Sequence, residues 1–250
     1  MESTMLLAAE GLSRYYNEHC AVENLDLHLK KGEVLGLLGP NGAGKSTTMQ
    51  MLTGNLAPTT GSIQINGIDL LEEPRRAKQH IGYLPEQPPV YRDLTVNEYL
   101  DYCAKLHGLR GAGRIQAIHL ARERCSLQEV QNRLIANLSK GYKQRVGIAQ
   151  AILHNPAVVI LDEPTVGLDP LQIREIRKLI RELGQEHSVI LSTHILPEVQ
   201  AVCDRVQILN RGRTVFNDSL TGVESLEKIF FELVYQEDPA LADLEAEKME

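Results

Sequence analysis

Two short segments of the chain carry residue types in a spacing suited to handling phosphate. Residues 39–46 read GPNGAGKS, the pattern GxxxxGK[ST]. Gly39, Gly42 and Gly44, with Asn41 between them, permit a tight loop whose backbone N–H groups converge on phosphate oxygens, and the helix expected to follow adds the positive end of its dipole. Lys45 is placed to reach the β- and γ-phosphates of a nucleotide, the Ser46 hydroxyl to ligate Mg2+, and Thr47 to add a phosphate contact. The second segment is Asp162-Glu163, which follows the apolar run VVIL. A carboxylate pair at the C-terminal edge of a buried strand stands where open α/β sheets bind ligands. Asp162 suits Mg2+ held through water, and Glu163 suits the base that polarises a water attacking the γ-phosphate. An acidic pair at a strand end is by itself a solvated loop or a helix cap; its weight here comes from coexisting with GPNGAGKS.

The elements that must position these groups are legible in the hydrophobic pattern. VLGLLG at 34–39, VVILD at 158–162 and VILST at 189–193 lack clean alternation, as expected of strands covered on both faces in a parallel sheet. Each precedes a helical pattern, and after Asp169 the residues Ile173, Ile176, Leu179, Ile180 and Leu183 fall at helical spacing. In the first third, Leu25, Leu27 and Leu29 alternate, as do Ile63 and Ile65, with turn signals at Gly32 and Asn66-Gly67, predicting an antiparallel β layer. From 95 to about 153 helix signals replace strand signals. Thr95 and Glu98 form a capping box with Leu94 and Tyr99 as its staple, Gly108 supplies a stop, and Ser126 with Glu129 repeats the capping pattern. A further helix from about Gly141 is expected to end before Pro156. DRVQILNRGRTVFN reads as a β-hairpin.

Composition narrows the class. The formal net charge of −7 is uneven, because residues 236–250 hold six acids against Lys248 alone, and the body is close to neutral. That excludes the basic footprint of a nucleic-acid binder. Cys20, Cys103, Cys125 and Cys203 form no metal-binding spacing and read as reduced, buried small hydrophobes. No apolar run approaches the roughly 20 residues of a membrane helix, and MESTMLLAAEG lacks the regions of a signal peptide, so a cytoplasmic location is expected.

Further short motifs complete an ordered series: Gln87 in YLPEQPP, LSKGYKQR at 138–145, GLD at 167–169 and His194. With GPNGAGKS and LDEP they resemble the nucleotide-binding subunits of the ABC transporter superfamily from about residue 6 to 216. The resemblance implies an α/β P-loop NTPase cassette: a mostly parallel core sheet, an antiparallel β subdomain and a helical subdomain inserted at about 88–155. Residues 1–235 would form this single domain and 236–250 an acidic tail. It also implies ATP and Mg2+ as ligands. Tyr16, with Tyr15 as the register alternative, would stack on adenine, Gln87 would touch Mg2+ or the attacking water, and His194 would contact the γ-phosphate. Ser139 and Gly141 would complete the ATP site of a second subunit, and Asp169 would bridge to that subunit rather than merely cap its helix. The commonest family form has Gly where Lys140 stands and Gln where Tyr142 stands; LSKG resembles exporter-type cassettes. The expected function is an ATP-hydrolysing subunit that dimerises around two ATP molecules, as a homodimer, and drives a separate membrane permease in export from the cytoplasmic face. The rival is a soluble ATPase of the same superfamily in cofactor or protein-complex assembly. The surface around Gln87 in YLPEQPPVYRDLTVNEYL, where Pro85, Pro88 and Pro89 limit the backbone and Tyr91 and Arg92 are the expected exposed contacts, is the expected contact with the permease.

Overall fold

The structure, a computed structural model, describes residues 4–222 and 225–235; the expected acidic tail lies outside the described residues. Two sheets organise the chain. The first is antiparallel and is built from β1 (Met5–Tyr16), β2 (His19–Lys30), β4 (Thr60–Ile65) and β5 (Ile68–Asp69) in the order β2-β1-β4-β5. Its alternating leucines and isoleucines point inward: Leu25, Leu27, Leu29, Ile63 and Ile65 are fully buried. The second sheet runs β10-β9-β3-β8-β7-β6, where β3 is Val34–Leu38, β6 Ile81–Leu84, β7 Val158–Asp162, β8 Ser188–Thr193, β9 Arg205–Asn210 and β10 Arg213–Ser219. All its pairs are parallel except the hairpin β9-β10. That hairpin turns through Arg211 and Gly212, both at positive φ, the geometry whose twist matches paired strands.

The runs without alternation are explained by two cores, one on each face of this sheet. Val159 and Leu161 of β7 and Val189 and Leu191 of β8 join one core, while Val158, Ile160 and Ile190 join the other. Side chains alternate between faces along each strand, and since both faces are covered every position is apolar. One core lies between the two sheets and includes α1 (Lys45–Leu52); the other lies under α6 (Pro170–Leu183), α7 (Leu196–Val202) and the helical region.

The helical region contains α3 (Val96–Leu106), α4 (Gly111–Arg124) and α5 (Lys140–Ile152). Thr95 and Glu98 close the expected capping box. Gly108, at φ +77°, ends α3 with its N–H on Lys105 and that of Leu109 on Ala104, the paired bonds of a Schellman motif. Ser126 corrects the sequence reading. It caps no following helix; it sits at φ +53° as the stop of α4, with the Ser126 N–H on Glu123 and the Leu127 N–H on Arg122. The chain then makes a short 3-10 turn, Gln128–Val130, with Leu127 at its N-cap. Helix α5 starts one residue before Gly141, stops before Pro156 and packs closely on β6, where a Cβ on Gly82 would lie 2.1 Å from the Ala151 carbonyl oxygen. Cys103, Cys125 and Cys203 are buried free thiols, but Cys20 is only half-buried on β2, where its Sγ donates to the Val22 carbonyl at 3.3 Å.

Candidate nucleotide site

GPNGAGKS lies between β3 and α1. The loop turns back through Ala43 N–H to Pro40 O at 3.2 Å and enters the helix with Thr48 N–H on Gly44 O at 2.9 Å. Two glycines are required by contact. A Cβ on Gly39 would meet the Leu209 carbonyl oxygen at 2.4 Å, and one on Gly44, at φ +99°, the Ala21 carbonyl oxygen at 2.7 Å. The loop and the start of α1 open on a cavity of about 550 Å3 whose lining includes Tyr16, Asn41, Gly42, Lys45, Ser46, Thr47, Glu163 and His194.

Lys45 is buried and folded onto its own loop, donating to Gly39 O at 2.8 Å and Pro40 O at 3.1 Å. Its Nζ also lies 3.7 Å from Glu163 Oε1. Burial pulls the Lys45 pKa down, with the Glu163 and Asp162 carboxylates opposing. From the other side, His194 Nδ1 stands 2.9 Å from Glu163 Oε2. Three groups from three elements thus meet: the loop lysine, the carboxylate at the end of β7 and the histidine after β8. Glu163 adopts φ +48°, a backbone state that costs free energy for a residue with a Cβ and recurs at functional sites.

Asp162 is 4 % exposed, and its Oδ1 makes no hydrogen bond; the Ser192 hydroxyl on the paired strand is likewise without a partner of normal geometry. Burial raises the Asp162 pKa. A buried carboxylate oxygen without a donor, beside a phosphate loop that presents an exposed Ser46 hydroxyl, is a donor set that fits Mg2+.

Of the other expected residues, Tyr16 lines the cavity while Tyr15 does not, and Arg14 lies over the Tyr16 ring at 4.8 Å. Gln87 is placed differently from the expectation. It lines a neighbouring groove with Lys140, Lys143 and Gln144, and its predecessor Glu86 lines the nucleotide cavity in its stead. Ser139 is exposed at the N-cap of α5 and accepts from Tyr142 N–H at 3.4 Å. Asp169 does cap α6, through Gln172 N–H at 2.9 Å. Neither these two nor Gly141 lines the cavity. Sequence reading did not find Glu86, His19 or Val166 among the lining residues. Glu86 carried a signal, as the neighbour of Gln87 in a proline-bounded loop; the other two carried none.

A glycine-rich loop closing on a helix N-terminus, with an acidic pair at the end of a parallel strand two places along the sheet, defines a P-loop nucleotide hydrolase. The profile of the ABC transporter family matches residues 22–166. The chain belongs to that family and is an ATP-binding, ATP-hydrolysing cassette. It is similar to the uncharacterized ABC transporter ATP-binding protein YxlF of Bacillus subtilis, with 41% identity over 86% of this chain and 71% of YxlF. It is also similar to the bacitracin transport ATP-binding protein BcrA of Bacillus licheniformis, with 39% identity over 83% of this chain and 68% of BcrA. Among solved structures, the dimeric ABC transporter cassette MJ0796 matches with a TM-score of 0.78 and 26% identity over 86% of this chain and 99% of that one.

Proposed function

We propose that this chain is the motor of an exporter: two copies close head to tail on two ATP molecules and drive a separate membrane permease from its cytoplasmic face. The observation that carries this reading is the division of the expected site. Lys45, Ser46, Thr47, Glu163 and His194 share one cavity, whereas Ser139 stands exposed at a helix N-terminus outside it. A hydroxyl and free N–H groups at a helix start form an anion site, and a second copy offering Ser139 and Gly141 would complete the γ-phosphate shell. The similar cassette MJ0796 has a dimeric structure, which supports the pairing of two copies.

The steps follow from the contacts. The γ-phosphate draws Lys45 away from Gly39 O, Pro40 O and Glu163, because a triphosphate is a stronger partner for a buried ammonium than neutral carbonyls. Glu163, released from Lys45, accepts the proton of the attacking water, and His194 holds the γ-phosphate oxygens. Tyr16 stacks on the adenine. Asp162 and Ser46 would hold Mg2+, with Gln87 as a further contact once its loop closes, and the ion would neutralise charge on the β- and γ-phosphates. Asp169 would then reach across the dimer from the N-terminus of α6. Export is supported by the LSKG form of the segment at 138–141 and by the similarity to BcrA, a bacitracin transport protein.

Light scattering tests the assembly. Glu163→Gln, which slows turnover without removing the phosphate loop, should have the mass of a dimer in saturating ATP and of a monomer in ADP. A monomer in both would contradict the reading.

A further inference from the structure

Glu198 is more deeply buried than either acidic residue of the nucleotide site. It is 1 % exposed, against 4 % for Asp162 and 8 % for Glu163. Its two oxygens are taken by two threonine hydroxyls, one from the loop after β7 and one from the last residue of β8. Oε1 accepts from Thr165 Oγ1, and Oε2 from Thr193 Oγ1 at 2.7 Å. Both threonines are themselves buried. Thr165 stands two residues after Glu163, and Thr193 immediately precedes His194. Since His194 Nδ1 lies 2.9 Å from Glu163 Oε2, the contacts close a ring: Glu163, Thr165, Glu198, Thr193, His194 and back to Glu163.

A plain capping role does not account for this geometry. Glu198 lies in the first turn of α7, whose N-cap is Ile195, and a carboxylate there favours the helix dipole. A capping carboxylate would bond the free N–H at the helix start. The Ile195 N–H is instead accepted by Thr193 Oγ1 at 3.1 Å, so Thr193 both accepts from Ile195 and donates to Glu198. The carboxylate is left to hold the loop after β7 to the end of β8. A buried carboxylate is costly without partners, and here its partners stand beside the acid and the histidine of the site.

We propose that Glu198 is a positioning residue for ATP hydrolysis, fixing the separation of Glu163 and His194 by clamping Thr165 and Thr193. The proposal rests on the roles given to Glu163 and His194 above. The carboxylate is specifically suited because it accepts from both hydroxyls at once. Glu198→Met keeps the length of the side chain and removes both acceptors. The clamp on Thr165 and on Thr193 is then lost together.

Steady-state ATP hydrolysis with kcat and KM resolved, together with melting temperature, tests this on the full chain. A displacement of about 1 Å in a catalytic group can cost about 10²-fold in rate, so Glu198→Met and Thr165→Val should each lower kcat about ten- to hundredfold, with KM for ATP within about twofold of the wild type. Thr165→Ser, which keeps the hydroxyl, should restore most of the loss. Combined with Glu163→Gln, each change should slow the residual single-turnover rate by less than it slows the wild type, because the base being positioned is already disabled and only the His194 contact is left to misplace. A Glu198→Met protein with wild-type kcat overturns the clamp, as does a loss that multiplies in full with that of Glu163→Gln. If Glu198→Met fails to fold, the Thr165→Val and Thr165→Ser pair decides by the same criteria. Unchanged turnover in Glu163→Gln alone would instead remove the role of Glu163.

Discussion

Lys45 is a cation held where burial works against its charge, kept in place by two carbonyls and a carboxylate. Such a group binds a triphosphate well because it has been desolvated in advance and has no strong partner to give up except Glu163. No other residue of the loop supplies a fixed cation, so Lys45→Ala should nearly abolish ATP binding, measured by equilibrium titration with a fluorescent ATP analogue; binding within a few-fold of the wild type would contradict the assignment. Glu163→Gln should bind ATP nearly normally and lose turnover by about 10²- to 10⁴-fold, the worth of a positioned general base, measured as phosphate release. At this scale the sequence was informative wherever chemistry is tied to fixed spacing, as at Gly39, Lys45, Ser46 and Asp162. It was silent on Glu198, because a glutamate four residues after a histidine in a helical stretch looks the same whether it faces water or is buried against Thr165 and Thr193. The position of Gln87, outside the cavity lining, could not be read either, since proline spacing limits the backbone but does not set which of two adjacent side chains turns inward.

Among the elements, α3 starts from a fully formed capping box, in which Thr95 N–H and Oγ1 both reach Glu98 Oε2 at 2.8 Å. Thr95→Ala should cost about 1 kcal/mol of stability, read as a shift of the urea midpoint. The segment before α3 carries the proposed contact with the permease. Val90 and Leu94 pack partly into the core, whereas Tyr91 and Arg92 are exposed, with the Tyr91 ring edge-on to Tyr99 and Tyr102. Tyr91→Ala combined with Arg92→Glu should weaken capture of the membrane partner in a pull-down and leave ATP hydrolysis by the isolated chain intact; unchanged capture and transport would remove this surface from the account. Strands buried on both faces and the antiparallel layer were legible because periodicity reports burial directly. Ser126 was misread because serine serves both as an N-cap and, less often, at a helix stop. The local pattern with Glu129 fits the first use, and the Schellman bonds at the end of α4 decide for the second.

Across the whole molecule, His107 at the end of α3 stacks on His154 just after α5, with ring centroids 3.8 Å apart, and His154 Nε2 lies 3.0 Å from the Ile81 carbonyl of β6. Burial, reinforced by His107, lowers the His154 pKa to about 4; His187 and His80 act in the same direction, and the Ile81 carbonyl opposes. Lys78 lines the same groove. An unfolded histidine titrates near 6.5, so below that pH the unfolded chain takes up a proton that the folded chain refuses. The contribution of His154 to stability is therefore constant above about pH 6.5 and falls as pH drops towards 4, by an amount on the order of 3 kcal/mol. The melting temperature of His154→Gln should fall less steeply over this interval than that of the wild type; parallel curves would contradict the assignment. On the proposed reading, hydrolysis requires two copies, each lending Ser139 to the other's phosphate loop. Mixing two impaired variants tests this. Glu163→Gln keeps an intact Ser139 and binds ATP without turning it over, and Ser139→Ala keeps an intact phosphate loop and Glu163 but lends no hydroxyl to the second copy. If sites are completed between copies, the mixture should hydrolyse ATP faster than the sum of the two variants measured alone; a rate equal to that sum would contradict the account.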